Sequence, residues 1–118
     1  MKPRAVHHVS IAVPDVDVAL DFYTRVLGMT QREDRPANLG AGAWLDVGGQ
    51  QLHLVRSDAP EPRGQHFAIL VDDLDATTAE LRAAGVTVSD AVPIGAARQA
   101  FLTDPAGNAI ELHEAARA

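Results

Sequence analysis

His8-Val-Ser-Ile-Ala-Val-Pro-Asp-Val16 and His66-Phe-Ala-Ile-Leu-Val-Asp-Asp-Leu74 carry one pattern twice, 58 residues apart. In the first copy Val9, Ile11 and Val13 alternate with His8, Ser10 and Ala12; in the second Phe67, Ile69 and Val71 alternate with His66, Ala68 and Leu70. A period of two with one strongly apolar set is a strand that buries one face. An aspartate follows each strand where a helix needs its N-cap, Asp15 in the first copy and Asp73 or Asp75 in the second. Ala19, Leu20, Tyr23, Val26 and Leu27 then recur at helical spacing up to Gly28, and Leu74, Leu81 and Ala84 up to Gly85. Each glycine stands where a left-handed C-cap is wanted.

Three strand-like pieces follow each helix. They are residues 30–34, 43–47 and 51–56 in the first half, and 86–89, 99–103 and 109–114 in the second. Gly48-Gly49 and Asp104-Pro-Ala-Gly-Asn108 mark turns between them. Each half is therefore β-α-β-β-β, and the chain is of the α+β class, with two tandem modules forming a curved mixed sheet whose uncovered face is a cup. Ser57-Asp-Ala-Pro-Glu-Pro-Arg-Gly64 is the linker. With 118 residues, we expect one fused domain, 1–118, with modules at about 5–57 and about 64–115. Residues 35–42 and 93–97 are irregular, each placed to form a loop at the mouth of a site.

Ten basic against sixteen acidic residues give a net charge of −6, which opposes a phosphate backbone and argues against nucleic acid as a partner. No cysteine is present, which excludes disulfides, thiolate zinc sites and cysteine nucleophiles and fits a reducing cytoplasm. Lys2 and Arg4 precede a short apolar stretch, but two histidines interrupt it and Pro14-Asp15 ends it. We expect neither an export signal nor a membrane span.

The same offset of 58 carries His53 onto Glu111, within Trp44-Leu-Asp-Val-Gly-Gly-Gln-Gln-Leu-His-Leu54 and Leu102-Thr-Asp-Pro-Ala-Gly-Asn-Ala-Ile-Glu-Leu112. Strand parity puts His8, His53, His66 and Glu111 all opposite the helix-facing residues. Three imidazoles and one carboxylate suit a divalent zinc, nickel, cobalt or ferrous ion, leaving two positions of an octahedral ion for water or substrate. His7 is expected on the opposite face from His8. His113 shares the face of Glu111 about 6.8 Å along the strand, suited to a contact with substrate or with a metal ligand. Trp44, Phe101 and Leu70 are candidates to line an apolar substrate pocket.

These motifs, with Ala19-Leu-Asp-Phe-Tyr-Thr-Arg-Val-Leu-Gly28, Gln51-Leu-His-Leu54 and Phe101-Leu-Thr-Asp-Pro-Ala-Gly-Asn108, resemble the vicinal oxygen chelate superfamily, which groups glyoxalase I, fosfomycin-resistance transferases, methylmalonyl-CoA epimerase, extradiol dioxygenases and bleomycin-resistance proteins. The resemblance spans nearly the whole chain. It implies one divalent metal ion per site (zinc, nickel, cobalt, iron or manganese) held by His8, His53, His66 and Glu111.

The resemblance to glyoxalase I implies a lyase or isomerase in which Glu111 takes a proton alpha to a carbonyl and a metal-stabilised enediolate forms. His53 stands where that enzyme and the epimerase usually have glutamate or glutamine, so His53 is expected to share the proton transfer or the chemistry differs. Ala12 stands where bacterial glyoxalase I has an arginine that contacts glutathione, which widens the substrate to a small thiol adduct or another 2-hydroxycarbonyl compound. The resemblance to the fosfomycin transferases implies an alternative, a metal-dependent thiol transferase that opens an epoxide antibiotic, with Ser10 near a phosphonate. However, Phe101 replaces their tyrosine, and the Ala115-Ala-Arg-Ala118 tail lacks their basic continuation, a gap that Arg98 fills only if it faces inward. A third alternative is a drug-sequestering binding protein. A homodimer is expected, with the site formed within one chain or across two.

Overall fold

The computed structural model describes residues 1–116, so the last two residues of the Ala115–Ala118 tail lie outside the described residues. The chain divides into two compact units, Met1–Pro60 and Glu61–Ala118, with the boundary inside the expected linker.

In the first unit β1 (His8–Val13) leads into α1 (Val16–Asp21), followed by β2 (Thr30–Gln31), β3 (Gly42–Val47) and β4 (Gln50–Arg56). The four strands form one sheet in the order β1-β4-β3-β2, with β1 parallel to β4 and the rest antiparallel. Asp15 caps α1 by accepting the Val18 amide at 3.1 Å. Val13, Ala19, Tyr23, Leu45, Leu52 and Leu54 are buried where helix and sheet meet. Each such large side chain stabilises by about 1.5–3 kcal/mol on burial.

The helix was expected to run unbroken to Leu27. Instead Phe22–Val26 form a wider π turn, in which the Leu27 amide donates to the Phe22 carbonyl at 3.0 Å. Thr24 Oγ1 also donates to the Leu20 carbonyl at 2.7 Å, a bond that competes with regular helical pairing. Phe22 and Tyr23 are consecutive yet both buried, which the wider turn accommodates. Gly28 ends the segment at φ 78°.

The second unit repeats the plan with β5 (His66–Leu70), α2 (Leu74–Ala83), β6 (Val92–Ile94), β7 (Ala97–Thr103) and β8 (Ala109–Glu114), ordered β5-β8-β7-β6. Asp73, of the two candidates, is the cap, accepting the Ala76 amide at 3.0 Å. Leu74, Leu81, Ala100, Leu102, Ile110 and Leu112 fill the core. The second strand falls at Val92–Ile94 and not at residues 86–89. Ser89 meets β7 at a single point, its amide donating to the Phe101 carbonyl and its hydroxyl accepting the Phe101 amide. The ladder begins further on, where Pro93 is tolerated on an edge strand. Each half is thus a βαβββ module with its own four-stranded mixed sheet, and no helix among the described residues is long and apolar enough to cross a membrane.

The copies do not superpose at one offset throughout. His8 pairs with Gln51 and His66 with Ala109, so β1, β4, β5 and β8 keep the offset of 58. On the third strands, Trp44 pairs with His53 whereas Phe101, not Leu102, pairs with Glu111. Eight residues lie between Trp44 and His53 and nine between Phe101 and Glu111. An aromatic ring therefore stands directly across from the ligand candidate of the last strand in both halves.

Candidate metal centre

Parity places His8 and Ser10 of β1, His53 of β4 and Trp44 of β3 on the sheet face opposite α1, because Leu52 and Leu54 go to the core. The rings form a stack. His53 lies between His8, at 3.9 Å between centroids and 15° between planes, and Trp44, at 4.6 Å and 12°. His53 is only 8% exposed, so its polar atoms need partners, and Nε2 meets Gln51 Oε1 at 2.8 Å. An amide oxygen only accepts, so Nε2 carries the hydrogen and Nδ1 keeps the lone pair. Burial, followed by the charges of His8, His7, Arg35 and Arg32, pushes the His53 pKa down and favours the neutral, ligating form.

His7 precedes β1 and escapes its alternation. It was expected on the far face, but its Nδ1 stands 2.9 Å from His8 Nδ1, with the two rings edge to face.

In the second unit His66 of β5 and Glu111 of β8 occupy the equivalent face. His66 Nδ1 lies 2.9 Å from the Gly64 carbonyl and must donate to it, which turns Nε2 toward Glu111 Oε1 at 3.1 Å. The Gly64 hydrogen bond, reinforced by the Glu111 carboxylate, raises the His66 pKa. The other Glu111 oxygen accepts from His113 Nδ1 at 2.9 Å. Phe101 sets its edge or face against the His66 ring, with centroids 5.2 Å apart and planes at 76°.

A neutral imidazole lone pair facing a carboxylate is repulsive unless a cation, a proton or a metal, sits between them. Ligand bonds of about 2.1 Å at right angles set adjacent donor atoms about 3 Å apart, which is the His66–Glu111 separation. An imidazole whose other nitrogen donates to a backbone carbonyl is also the usual posture of a metal-bound histidine. The donor chemistry of the second pair therefore fits a divalent ion. His53 fits in protonation state, but the first pair does not fit in direction, because parallel rings do not aim their lone pairs at one point. Among the described residues, no group of three or more His, Cys, Asp or Glu side chains is arranged to hold a metal ion.

The expected site residues thus divide. His8, Ser10, Trp44 and His53 share one face of the first unit; His66, Phe101, Glu111 and His113 share one face of the second. Arg98 does not belong with them. It sits on the helix side of β7, where its guanidinium bonds Asp75 and Glu114, because its register partner Glu114 points to the N-terminus of α2. Gln51 went unnoticed in the sequence, although its place two residues before His53 mirrors that of His113 two residues after Glu111.

A model of the Glyoxalase/Bleomycin resistance protein/Dioxygenase superfamily matches residues 5–112. The chain belongs to that superfamily. It is 34% identical to a 2-epi-5-epi-valiolone epimerase of an Actinomyces species, over 92% of this chain and 78% of that protein. It is 32% identical to a probable lactoylglutathione lyase of Vibrio cholerae, over 95% and 91%. Among solved structures, the antibiotic-binding protein TnmS3 of Streptomyces sp. CB03234 matches with a TM-score of 0.81 and 31% identity, over 97% of this chain and 98% of that one.

Proposed function

We propose that this superfamily member is a metal-dependent lyase or isomerase of the glyoxalase I type, acting on a small thiol adduct or another 2-hydroxycarbonyl compound. The observation that carries the reading is the 3.1 Å approach of His66 Nε2 to Glu111 Oε1, with the far side of each group already tied to Gly64 or His113. In this reading His8, His53, His66 and Glu111 hold one divalent ion. Such an ion supplies positive charge beside the substrate oxygens and lowers the energy of an enolate as it forms.

The chain's own residues do the rest. Glu111 takes the proton alpha to the carbonyl through one carboxylate oxygen. His113 donates to the other oxygen and fixes the plane of the group. His53, neutral and held by Gln51 through Nε2–H, has a single lone pair on Nδ1, so it shares the proton transfer only where that nitrogen is not given to the ion. Ser10, Trp44 and Phe101 bound the substrate. A lyase and an epimerase among the relatives support this class. A homodimer is part of the proposal.

A second reading, sequestration of an antibiotic without reaction, is favoured by the 31% identity to an antibiotic-binding protein. Epoxide opening has less support, because the Arg98 guanidinium is committed to Asp75 and Glu114.

Metal analysis of protein purified without chelators separates the two. About one equivalent, with thermal stabilisation by zinc, nickel, cobalt or manganese, supports the enzyme; below about a tenth of an equivalent with no stabilisation leaves the binding protein. Glu111→Gln is expected to keep part of the metal while lowering turnover of a 2-oxoaldehyde thiol adduct about a hundredfold or more. Retained turnover would remove Glu111 as the base.

A further inference from the structure

A cleft of about 340 Å³ lies on the first unit, lined among others by Arg32, Glu33, Arg35, Gly42 and Trp44. Its two arginines differ. Arg32 is fully engaged, donating to both oxygens of Asp34 at 2.9 and 2.7 Å and to Asp46 at 2.8 Å. Arg35 is half-buried and makes no ion pair among the described residues. Its Nη1 donates to the Gly40 carbonyl at 2.8 Å, and its buried Nε has no partner.

The position of this guanidinium is built into the sequence. It lies over Gly42, where an added Cβ would fall 2.5 Å from the Leu54 carbonyl oxygen and 2.6 Å from Nη2, so a side chain there would meet both the β4 backbone and the arginine. The Gly40 bond closes the loop that follows it. Trp44 joins the cleft to the His53–His8 stack. A cation partly withdrawn from water, without an ion-pair partner among the described residues and beside a candidate reactive face, is a costly arrangement that an anionic ligand would compensate.

We infer that Arg35 recognises the carboxylate of a small monoanionic substrate bound in this cleft against Trp44. A planar guanidinium matches a carboxylate in two parallel hydrogen bonds. A monoanion is specified because Glu33 also lines the cleft and the chain carries a net charge of −6, both of which oppose a dianion more strongly. As a statement about substrate, the inference rests on the proposed function; as a statement about binding, it does not need the metal.

Trp44 is the only tryptophan, so its fluorescence reports on this cleft and on the His53 ring stacked against it, and the metal-free titration isolates the cleft. The full chain is titrated with hexanoate, with hexanamide and with inorganic phosphate, both stripped of metal and reloaded with zinc. Hexanoate is expected to give a saturable change and to bind about tenfold or more tightly than the uncharged amide, the usual worth of one charge-assisted contact. Phosphate should displace hexanoate only at higher concentration. Arg35→Ala, checked for folding by circular dichroism, should bind acid and amide alike, and Arg35→Lys should keep part of the preference.

Equal binding of acid and amide by the unaltered chain, no saturable response, tighter binding of phosphate, or an acid preference that survives in folded Arg35→Ala would each overturn the inference. Loss of zinc binding with the acid preference intact would remove the metal reading and leave this one standing. Zinc binding without the preference would do the reverse.

Discussion

His53 and His66 are the same residue type in equivalent strand faces, yet their surroundings push them in opposite directions. Burial, aided by neighbouring positive charges, lowers the His53 pKa below the ordinary 6.5, whereas the Gly64 carbonyl and then Glu111 raise that of His66 above it. The raised group stabilises the fold in full below pH 6.5, and that contribution is lost as pH rises through its folded value. The lowered group does the opposite, contributing above 6.5 and losing its share as pH falls through its folded value. Titration of the imidazole NMR signals in metal-free protein should therefore place the two on opposite sides of 6.5. Glu111→Gln should narrow the His66 shift without removing it, since Gly64 remains. Two histidines titrating together would contradict these environments.

At the scale of elements, α2 is fastened at its start by two carboxylates. Asp73 caps it locally, while buried Glu114 of β8 accepts the Leu74 amide at 2.7 Å and also pairs with Arg98. Asp73→Ala should cost about 1 kcal/mol. Glu114→Ala should cost more, about 3 kcal/mol, because it strands a buried amide and leaves Arg98 with Asp75 alone. Urea melts check the order, and equal losses would show that the Glu114 bond adds nothing.

The cap was legible in the sequence, as were strand parity and the faces of the four ligand candidates, because they follow from local chemistry and from periods of 2.0 and 3.6. The π turn after Asp21, the start of β6 and the role of Arg98 were not. Ser89 touching β7 once is a contact that no period links, Thr24 bonding back to Leu20 is a hydroxyl bond that the apolar pattern does not record, and Arg98 stands just before the expected strand, where it shares the parity of buried Ala100 and Leu102. Arg35 was equally hidden, since its place depends on the lack of a side chain at Gly42.

For the whole molecule, the proposed function has one testable consequence, that His8 and His53 of one unit and His66 and Glu111 of the other serve the same ion. His8→Ala removes a donor from the first unit and His66→Ala one from the second. If the ion is shared, each variant should lose tight metal binding outright; if each unit bound its own, each variant would keep about half of the wild-type stoichiometry. Elemental analysis after gel filtration decides between them.

The single extra residue between Phe101 and Glu111 says something about descent as well as structure. A residue added within a strand would turn every following side chain to the wrong face, and the second copy would have lost its carboxylate to the core. The Asp104–Asn108 turn took up the change at the tip of the hairpin instead, so the aromatic partner stayed opposite the ligand candidate. The hairpin tip is thus where the two copies could diverge in length after duplication while still presenting the same face.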